Sequence, residues 1–449
     1  MTTGSLGRTA AFTLLALLGL GGCSDADDVG YPSCSYRVCP IDEGSCSSHV
    51  ASVVGCKMGI EPLQVPVRYL TVAEVLAEQE AQTDPPTSQE EQDYADYARG
   101  EALVGLMPPG HELADLASET IVNFSAFYSR DDEEIVILTD QAPADPQDAY
   151  LLLVHEMVHA YQDAERDLDR LYDTHGTTFD RTMGLKGLTE GEAVLHQSLA
   201  AIELAGFEPH RADWDGYFRD WQSAMLDLAR ESEMPRVQAP ALFPYAFGGE
   251  LVVDGWRSGA DRVDALYDEP PDSVRQVMGG YGSWPMALRN EDASFDPAAV
   301  PVLPAPYELI GGGHESVWLL NAMLQRTARL ELWHAELDEV SADYFSVFRV
   351  DDDVVVFWRV RSTATAALLD TLVQTTNTRW TDGSDGTAST YLVTSIDDDL
   401  LLVAVSQGDA SLALDDIEGW QSPQEAFEDP DVNPASRWRI TAVDGDHRR

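Results

Sequence analysis

The sequence over residues 151–163 reads Leu151-Leu152-Leu153-Val154-His155-Glu156-Met157-Val158-His159-Ala160-Tyr161-Gln162-Asp163. Its apolar spacing predicts a helix from Asp148 to about Glu165. Residues four apart share one helix face, so His155 and His159 can present two imidazoles to one metal ion at about 2.0–2.1 Å. Glu156 lies beside them, where its carboxylate can take a proton from a metal-bound water and pass it to a leaving amine. The pattern predicts a metal-dependent hydrolytic centre.

Burial of these polar side chains in an apolar helix is costly unless a partner such as a metal ion is present. The alternative is that both histidines are ordinary core or surface residues satisfied by hydrogen bonds. A catalytic zinc site needs a third protein ligand and keeps a fourth position open. The best candidate is Glu190, which thirty residues separate from His159. It lies in Leu188-Thr189-Glu190-Gly191-Glu192-Ala193 at the opening of a predicted helix.

Together these two segments resemble the gluzincin metallopeptidases. In that group, His-Glu-x-x-His is followed by a helix with an Asn/Thr-Glu-Gly-x-Ala element whose glutamate binds zinc. The resemblance implies Zn²⁺ as the cofactor, with His155, His159 and Glu190 as its ligands. The interval after His159 is longer than in the common aminopeptidases, and the sequence has no Gly-x-Met-Glu-Asn segment upstream. Aminopeptidase specificity therefore does not carry over.

A closer resemblance is to predicted bacterial and archaeal metallopeptidases that combine four short elements. Those elements are His-Glu-x-x-His-Ala-x-Gln-Asp, Glu-Gly-Glu-Ala, Tyr-x-x-Gly and Pro-Pro-x-Ser. They correspond here to residues 155–163, 190–193, 245–248 and 270–273, so the resemblance covers roughly residues 65–281. It implies a zinc metallopeptidase and leaves the substrate open.

Other residues compete for the position of third ligand. Gly176-Thr177-Thr178-Phe179-Asp180 is similar to the GTxD element of the aspzincins, although the spacing is one residue too long. Asp180 is therefore a rival to Glu190. His175 and His196 are further candidates.

Three more side chains, and one alternative, are candidates to support the centre. Asp163 lies four residues after His159 on the same face, where it could orient the imidazole, or it is a solvated carboxylate at the helix end. Glu192 points to another face than Glu190 and could support the ligands only from behind. Tyr245, or His314 as the alternative, could stabilise an oxyanion. Tyr245 could equally be a core residue, since it lies between two phenylalanines.

The N-terminus resembles a bacterial lipoprotein signal. Arg8 precedes an apolar run that is too short to span a bilayer permanently and ends in Leu20-Gly21-Gly22-Cys23. The resemblance implies a signal peptide over residues 1–22, lipidation of Cys23 and a membrane anchor. Ser24 in place of Asp implies sorting to the outer membrane. An ordinary secretory signal with a chance cysteine is the alternative.

The remaining cysteines cluster within 23 residues at Cys34, Cys39, Cys46 and Cys56. Clustered cysteines in an exported chain predict two disulfides, with three possible pairings. A small metal site is the alternative. With the preceding Asp-, Ser- and Gly-rich stretch, they predict that residues 23–62 are a lipid tether and a Cys-rich segment, and that folded structure begins near Val65.

A formal charge of −50 rules against a nucleic-acid partner. The chain has only two lysines, Lys57 and Lys186, so arginine supplies nearly all of its positive charge. The acidity indicates solubility, a saline environment or cationic partners. It carries no information about the fold.

The 449 residues provide for two or three domains. We predict an α+β fold, with a mostly helical zincin-like domain and a small sheet over residues 63–330 and a small α+β accessory domain over 331–449. Strands are predicted over 67–70, 134–138, 344–349, 354–360, 390–394 and 400–406, with 344–349 and 354–360 forming a hairpin. Helices are predicted over 72–79, 89–106, 113–122, 148–165, 193–204, 217–230, 315–327 and 364–375.

These observations predict a zinc metallopeptidase of the cell envelope that cuts proteins or peptides. One alternative is a zinc hydrolase of another bond, such as a cell-wall amide, because the motif specifies the ion and not the acyl group. The other is a non-catalytic surface-binding lipoprotein with a structural metal site.

Overall fold

A computed structural model describes residues 34–82, 85–111, 124–176, 179–232, 234–259, 261–279, 299–315, 318–320, 340–362, 390–396, 399–406 and 410–421. The predicted signal peptide, Cys23, the helices over 113–122 and 364–375, and most of the helix over 315–327 lie outside these ranges. Within the ranges, no helix combines the length and the apolar character needed to cross a membrane.

The fold contains both helices and sheets, as the α+β prediction requires. The helices are α1 (Gly44–Met58), α2 (Val72–Gln82), α3 (Ser88–Leu103), α4 (Pro146–Arg166), α5 (Leu168–His175), α6 (Phe179–Leu204), α7 (Trp214–Glu231), α8 (Pro235–Phe243), α9 (Gly249–Ser258), α10 (Asp261–Asp268), α11 (Val274–Met278) and α12 (Ala410–Asp415). A 3₁₀ turn at Pro209–Arg211 and a π-helical turn at Pro244–Gly248 join some of them. The strands are β1 (Val67–Leu70), β2 (Ala126–Ser129), β3 (Glu134–Leu138), β4 (Val300–Val302), β5 (Glu308–Gly313), β6 (Val340–Val350), β7 (Asp353–Ser362), β8 (Thr390–Ile396), β9 (Asp399–Val405) and β10 (Gly419–Gln421).

A three-stranded sheet supports the helix that carries the two histidines. Its order is β1-β3-β2, with β1 parallel and β2 antiparallel to β3. Side chains of β3 alternate between two cores, because successive residues of a strand point to opposite faces. Ile135 and Ile137 pack with the apolar residues of α4, whereas Val136 and Leu138 pack with Val75 of α2. The sheet therefore lies between α2 and α4.

The Cys-rich segment is folded, which corrects the expectation that folded structure begins near Val65. Helix α1 lies within residues 44–58 and buries Val50 and Val54 in the same core as α4. On α4, the hydroxyl of Tyr161 donates to the carbonyl of Ala51 at 2.7 Å and accepts from the amide of Leu63 at 3.0 Å. The sequence near α1 could not predict this packing, because burial of α1 depends on α4, a helix about a hundred residues later in the chain.

Two disulfides link the four cysteines of this segment. Cys34 pairs with Cys56 and Cys39 with Cys46, with Cα–Cα separations of 5.7 and 5.5 Å. Of the three pairings that the sequence left open, the structure thus selects the nested one.

The C-terminal sheet shares a core with the helices that precede it. Its five strands are antiparallel in the order β5-β6-β7-β9-β8. One face, which includes Val347, Val356 and Trp358, belongs to the same core as α6 and α9, and the other face forms a separate core with α12. Strand β5 precedes residue 330 and pairs with β6 beyond it. The expected boundary at 330/331 therefore divides a sheet.

Most local predictions in the described ranges are confirmed. The strands at 67–70 and 134–138 match β1 and β3, and the predicted hairpin is β6–β7. Helix α6 is the main difference, since it begins at Phe179 and not at Ala193. Three glycines, Gly184, Gly187 and Gly191, lower helix propensity in this stretch. Close packing against other elements overrides that propensity here.

Candidate metal centre

Helix α4 presents the two histidines and Glu156 to a cleft. Asp145 caps its N-terminus by accepting from the amides of Gln147 and Asp148, and Pro146 occupies the first helical position. His155 and Glu156 are buried, and His159 is largely buried. The imidazole rings of His155 and His159 lie 4.9 Å apart between centroids. The helix therefore places both rings on one side of the cleft, as its periodicity predicts.

Helix α6 brings Glu190 to the same point. The Oε2 atom of Glu190 lies 3.0 Å from Nε2 of His155 and 3.4 Å from Nε2 of His159. The three donor atoms all lie within 4.8 Å of one another. In the described part of the chain, they form the one group of three or more His, Cys, Asp or Glu side chains arranged to share an ion.

The donor set fits a zinc ion. Zinc takes imidazole nitrogen and carboxylate oxygen at about 2.0–2.2 Å, so tetrahedral ligands lie a little over 3 Å apart. The observed distances from Glu190 to the two imidazoles are of that size.

The charges of the group are strongly coupled. Burial disfavours the charged form of His159, but the carboxylates of Glu190 and Glu156 outweigh it and raise the pKa of His159 to about 10. Burial likewise opposes ionisation of Glu190, yet the charge of His159 and hydrogen bonds from both histidines lower the pKa of Glu190 far below its usual range. Both shifts favour the charged forms of His159 and Glu190, because the imidazole and the carboxylate face each other across 3.4 Å.

The side chain that contacts the far nitrogen of His159 is Gln162, which the sequence did not single out. Its Oε1 atom lies 2.8 Å from Nδ1 of His159. Gln162 is buried and follows His159 by three residues, so the two lie on neighbouring positions of one helix face. The sequence contains Gln162 as part of the His-Glu-x-x-His-Ala-x-Gln-Asp element, but a glutamine carries no charge that would mark it as a partner of His159.

Asp163, for which the sequence left open a contact with His159 or a solvated position at the helix end, bonds a residue of the sheet. Its carboxylate accepts from the hydroxyl of Tyr128 on β2 at 3.0 Å. Asp163 comes one residue after Gln162, and this step along the helix turns its side chain towards the sheet. Asp163 thus joins α4 to β2.

Glu192 contacts Gln162, the residue that bonds His159. Its Oε2 atom accepts from Nε2 of Gln162 at 3.0 Å and from the hydroxyl of Tyr267 at 2.7 Å. Tyr267 lies on α10, and the sequence did not identify it. The resulting chain of hydrogen bonds runs from His159 through Gln162 and Glu192 to Tyr267.

Tyr245 lies in the π-helical turn between α8 and α9 and borders the cleft. Its ring stacks against that of His155, with 5.8 Å between centroids and 28° between planes. Pro244 lacks an amide hydrogen, so the regular helical hydrogen bond cannot form there. A π turn of this kind often occurs at functional sites.

Close glycine contacts set the distance between α6 and the π turn. A Cβ atom on Gly248 would collide with the carbonyl of Gly187, and one on Gly191 would collide with the carbonyl of Gly248. Only glycine permits this approach. It brings Glu190 on α6 and Tyr245 on the π turn to the same cleft.

The rival ligands lie elsewhere. Asp180 is buried and accepts from the amide of Val274 at 3.0 Å, and His175 contacts Asp272 at 3.2 Å. His196 is buried further along α6. His314, the alternative to Tyr245 as an oxyanion donor, is not among the residues that line the cleft, and its Nδ1 lies 2.5 Å from the carbonyl of Asp343.

The cleft has a volume of about 510 Å³, including its open mouth. Strand β2 lies along it, and this edge strand pairs on one side only, with β3, among the described residues. The lining is mainly aromatic apart from the candidate ligands and Glu156. It comprises Phe124, Ala126, Phe127, Tyr128, Arg130, Leu168, Tyr172, Thr189 and Tyr245.

No family model matches the chain, and no curated protein or solved structure matches it.

Proposed function

We propose that the protein is a zinc-dependent metallopeptidase of the zincin type. The observation that carries the proposal is the convergence of His155, His159 and Glu190 within one cleft that Glu156 also lines. Three protein ligands with no fourth His, Cys, Asp or Glu joining them in the described ranges match a catalytic zinc site more closely than a structural one. When bound, zinc would acidify a water molecule and polarise a carbonyl group.

The other cleft residues have separate tasks in this proposal. Glu156 acts as the base and then the acid, because a carboxylate beside the ligands can accept a proton and return it to a leaving amine. Tyr245 stacks against His155, so its side chain is close enough to the ligands for its hydroxyl to donate to a developing oxyanion. These two residues belong to different helices, and both border the cleft.

The cleft suits an extended peptide. An edge strand offers backbone donors and acceptors to which a peptide can add as a further strand. Strand β2 has such an edge among the described residues and lines the cleft with Ala126, Phe127 and Tyr128. The surrounding aromatic side chains favour apolar or aromatic residues of a protein or peptide substrate.

We also propose that the protein acts at the cell envelope, lipid-anchored through Cys23. The two disulfides support export, because such bonds persist in oxidising compartments. Both close loops near the N-terminus of the described chain, directly after the proposed anchor.

The variant Glu156→Gln tests the proposed function. The purified soluble protein should contain one zinc per chain after dialysis, and the variant should keep that zinc because no ligand is removed. Peptide hydrolysis should fall by roughly 10²–10⁴-fold because the proton acceptor is lost. Elemental analysis and a fluorogenic peptide library measure the two quantities.

Glu165→Gln is the matched control, since Glu165 is exposed on the same helix. It should leave both quantities unchanged. Absence of zinc from the parent protein, even after zinc is supplied, would contradict the proposal. Equal hydrolysis by the parent and Glu156→Gln would also contradict it.

A further inference from the structure

The surroundings of Gln162 determine which end of its amide faces His159. Its Nε2 atom lies 2.8 Å from the backbone carbonyl of Thr189 and 3.0 Å from the Oε2 atom of Glu192. A backbone carbonyl oxygen accepts hydrogen bonds but cannot donate them, and the same is true of an ionised carboxylate. The amide nitrogen must therefore point towards these two groups, and the amide oxygen must point towards His159.

This orientation selects one tautomer of His159. The Oε1 atom of Gln162 can only accept, so Nδ1 of His159 must carry the hydrogen in the 2.8 Å contact. In the neutral imidazole, Nε2 then has the lone pair. Nε2 is also the nitrogen that faces Glu190.

In the same arrangement, the amide of Gln162 lies between the carboxylate of Glu192 and the imidazole of His159. Glu192 contacts Gln162 and Tyr267, both of which donate to its Oε2 atom. A carboxylate bonded directly to a metal-binding imidazole makes that ligand more basic, whereas an amide does so less. The buried residues Gln162, Glu192 and Tyr267 come from α4, α6 and α10, so the fold holds this order in place.

We propose that Gln162 is a positioning residue, which holds His159 in the tautomer that binds metal and keeps the Glu192 carboxylate from contacting that imidazole. The proposal rests on the proposed zinc site but not on the identity of the substrate. If zinc is bound, this imidazole would hold it less tightly than a carboxylate-backed imidazole would, which would leave the ion a stronger Lewis acid.

Two variants of the soluble protein separate these effects. Gln162→Met has a similar length but no polar atom to bond His159, so zinc affinity should fall about 10–100-fold. The exchange Gln162→Glu with Glu192→Gln conserves composition and net charge but places the carboxylate against His159. It should bind zinc at least as tightly as the parent, and the acidic limb of its pH–rate profile should move to higher pH.

Asp163→Asn is the control, because Asp163 is adjacent in sequence but bonds Tyr128. Competition with a chromogenic chelator measures zinc affinity for all four proteins, and circular dichroism checks that each is folded. The proposal is overturned if folded Gln162→Met binds zinc like the parent, or if the exchange binds it as weakly as Gln162→Met. A parent that binds zinc but cuts no peptide would contradict the proposed function alone, since the affinity comparison needs no substrate.

Discussion

At the scale of single residues, Glu190 and Asp180 are two buried carboxylates in opposite environments. Glu190 faces two imidazoles, which lower its pKa against the effect of burial. Asp180 accepts a hydrogen bond from the backbone amide of Val274, and burial raises its pKa to about 7 despite that bond. The carboxylate of Glu190 therefore favours its charged form, which can bind a cation, whereas burial favours the neutral form of Asp180 in acid solution.

Glu190→Ala should lower zinc affinity by more than the roughly 10–100-fold typical of residues that only contact a ligand. Asp180→Asn should leave zinc affinity unchanged, because its side chain bonds Val274 outside the ligand group. Chelator competition measures both. Unchanged zinc binding in Glu190→Ala would mean that the third ligand is another residue.

Asp180 should also make stability depend on pH. Its folded-state pKa, about 7, is above its unfolded value of 3.8, so the folded state binds the proton more tightly. Its contribution to the free energy of unfolding should therefore fall as pH rises from about 4 to about 7, by about 1.4 kcal/mol per unit, and then remain constant.

The variant Asp180→Asn isolates this effect, because its amide oxygen can still accept from Val274 but cannot ionise. Urea unfolding at pH 5 and pH 8 should show a larger stabilisation of the variant, relative to the parent, at pH 8. An equal difference at the two pH values would show that Asp180 does not titrate in this window.

At the scale of elements, the contact between α6 and the π turn is made by backbone atoms. Gly187, Gly191 and Gly248 allow this approach, and Glu190 is adjacent to one of them. Because the interior is close-packed, an added methyl group at this contact must displace one helix from the other. The position of Glu190 relative to α4 depends on the same packing.

Gly248→Ala should therefore lower the free energy of unfolding by about 1–3 kcal/mol or more, and should weaken zinc binding. Gly44→Ala is the matched control, since a Cβ atom there meets nothing within 4 Å. That change at the start of α1 should be neutral or slightly stabilising. Thermal unfolding and chelator competition compare the two variants, and equal behaviour would contradict this role for the glycine contact.

At the scale of the whole molecule, the C-terminal sheet is part of the main core. Side chains of Val347 on β6 and Val356 on β7 pack against Gly100 of α3. Arg349 pairs with Asp93 at 2.6 Å and Asp96 at 2.5 Å, both on α3. These contacts attach the sheet to a helix about 250 residues earlier in the chain.

A chain of residues 34–330 should consequently fail to fold. It would retain β5 without its partner β6 and would expose the core face otherwise covered by β7 and β9. Near-ultraviolet circular dichroism and thermal unfolding should show no cooperative transition, whereas residues 34–449 should show one. A cooperative transition of similar midpoint in the shorter chain would show that residues 34–330 fold without the C-terminal segment, as a separate accessory domain requires.

The local features of this protein follow from its sequence. The α-helical repeat places His155 and His159 on one face whatever surrounds them, and alternation together with a short acidic turn predicts the β6–β7 hairpin. Such features depend on residues a few positions apart, so periodicity and capping are sufficient to predict them.

The tertiary structure decided everything that joins distant segments. It brings Glu190, and not Asp180, to the two histidines, and it brings Gln162, and not Asp163, to Nδ1 of His159. It also pairs the cysteines in one of three ways and packs the C-terminal sheet into the same core as α6. The physical reason is that contacts between residues far apart in the chain depend on how whole faces pack. Here the packing of α6 on α4, and the glycine contact that holds the π turn against α6, determine which side chains meet.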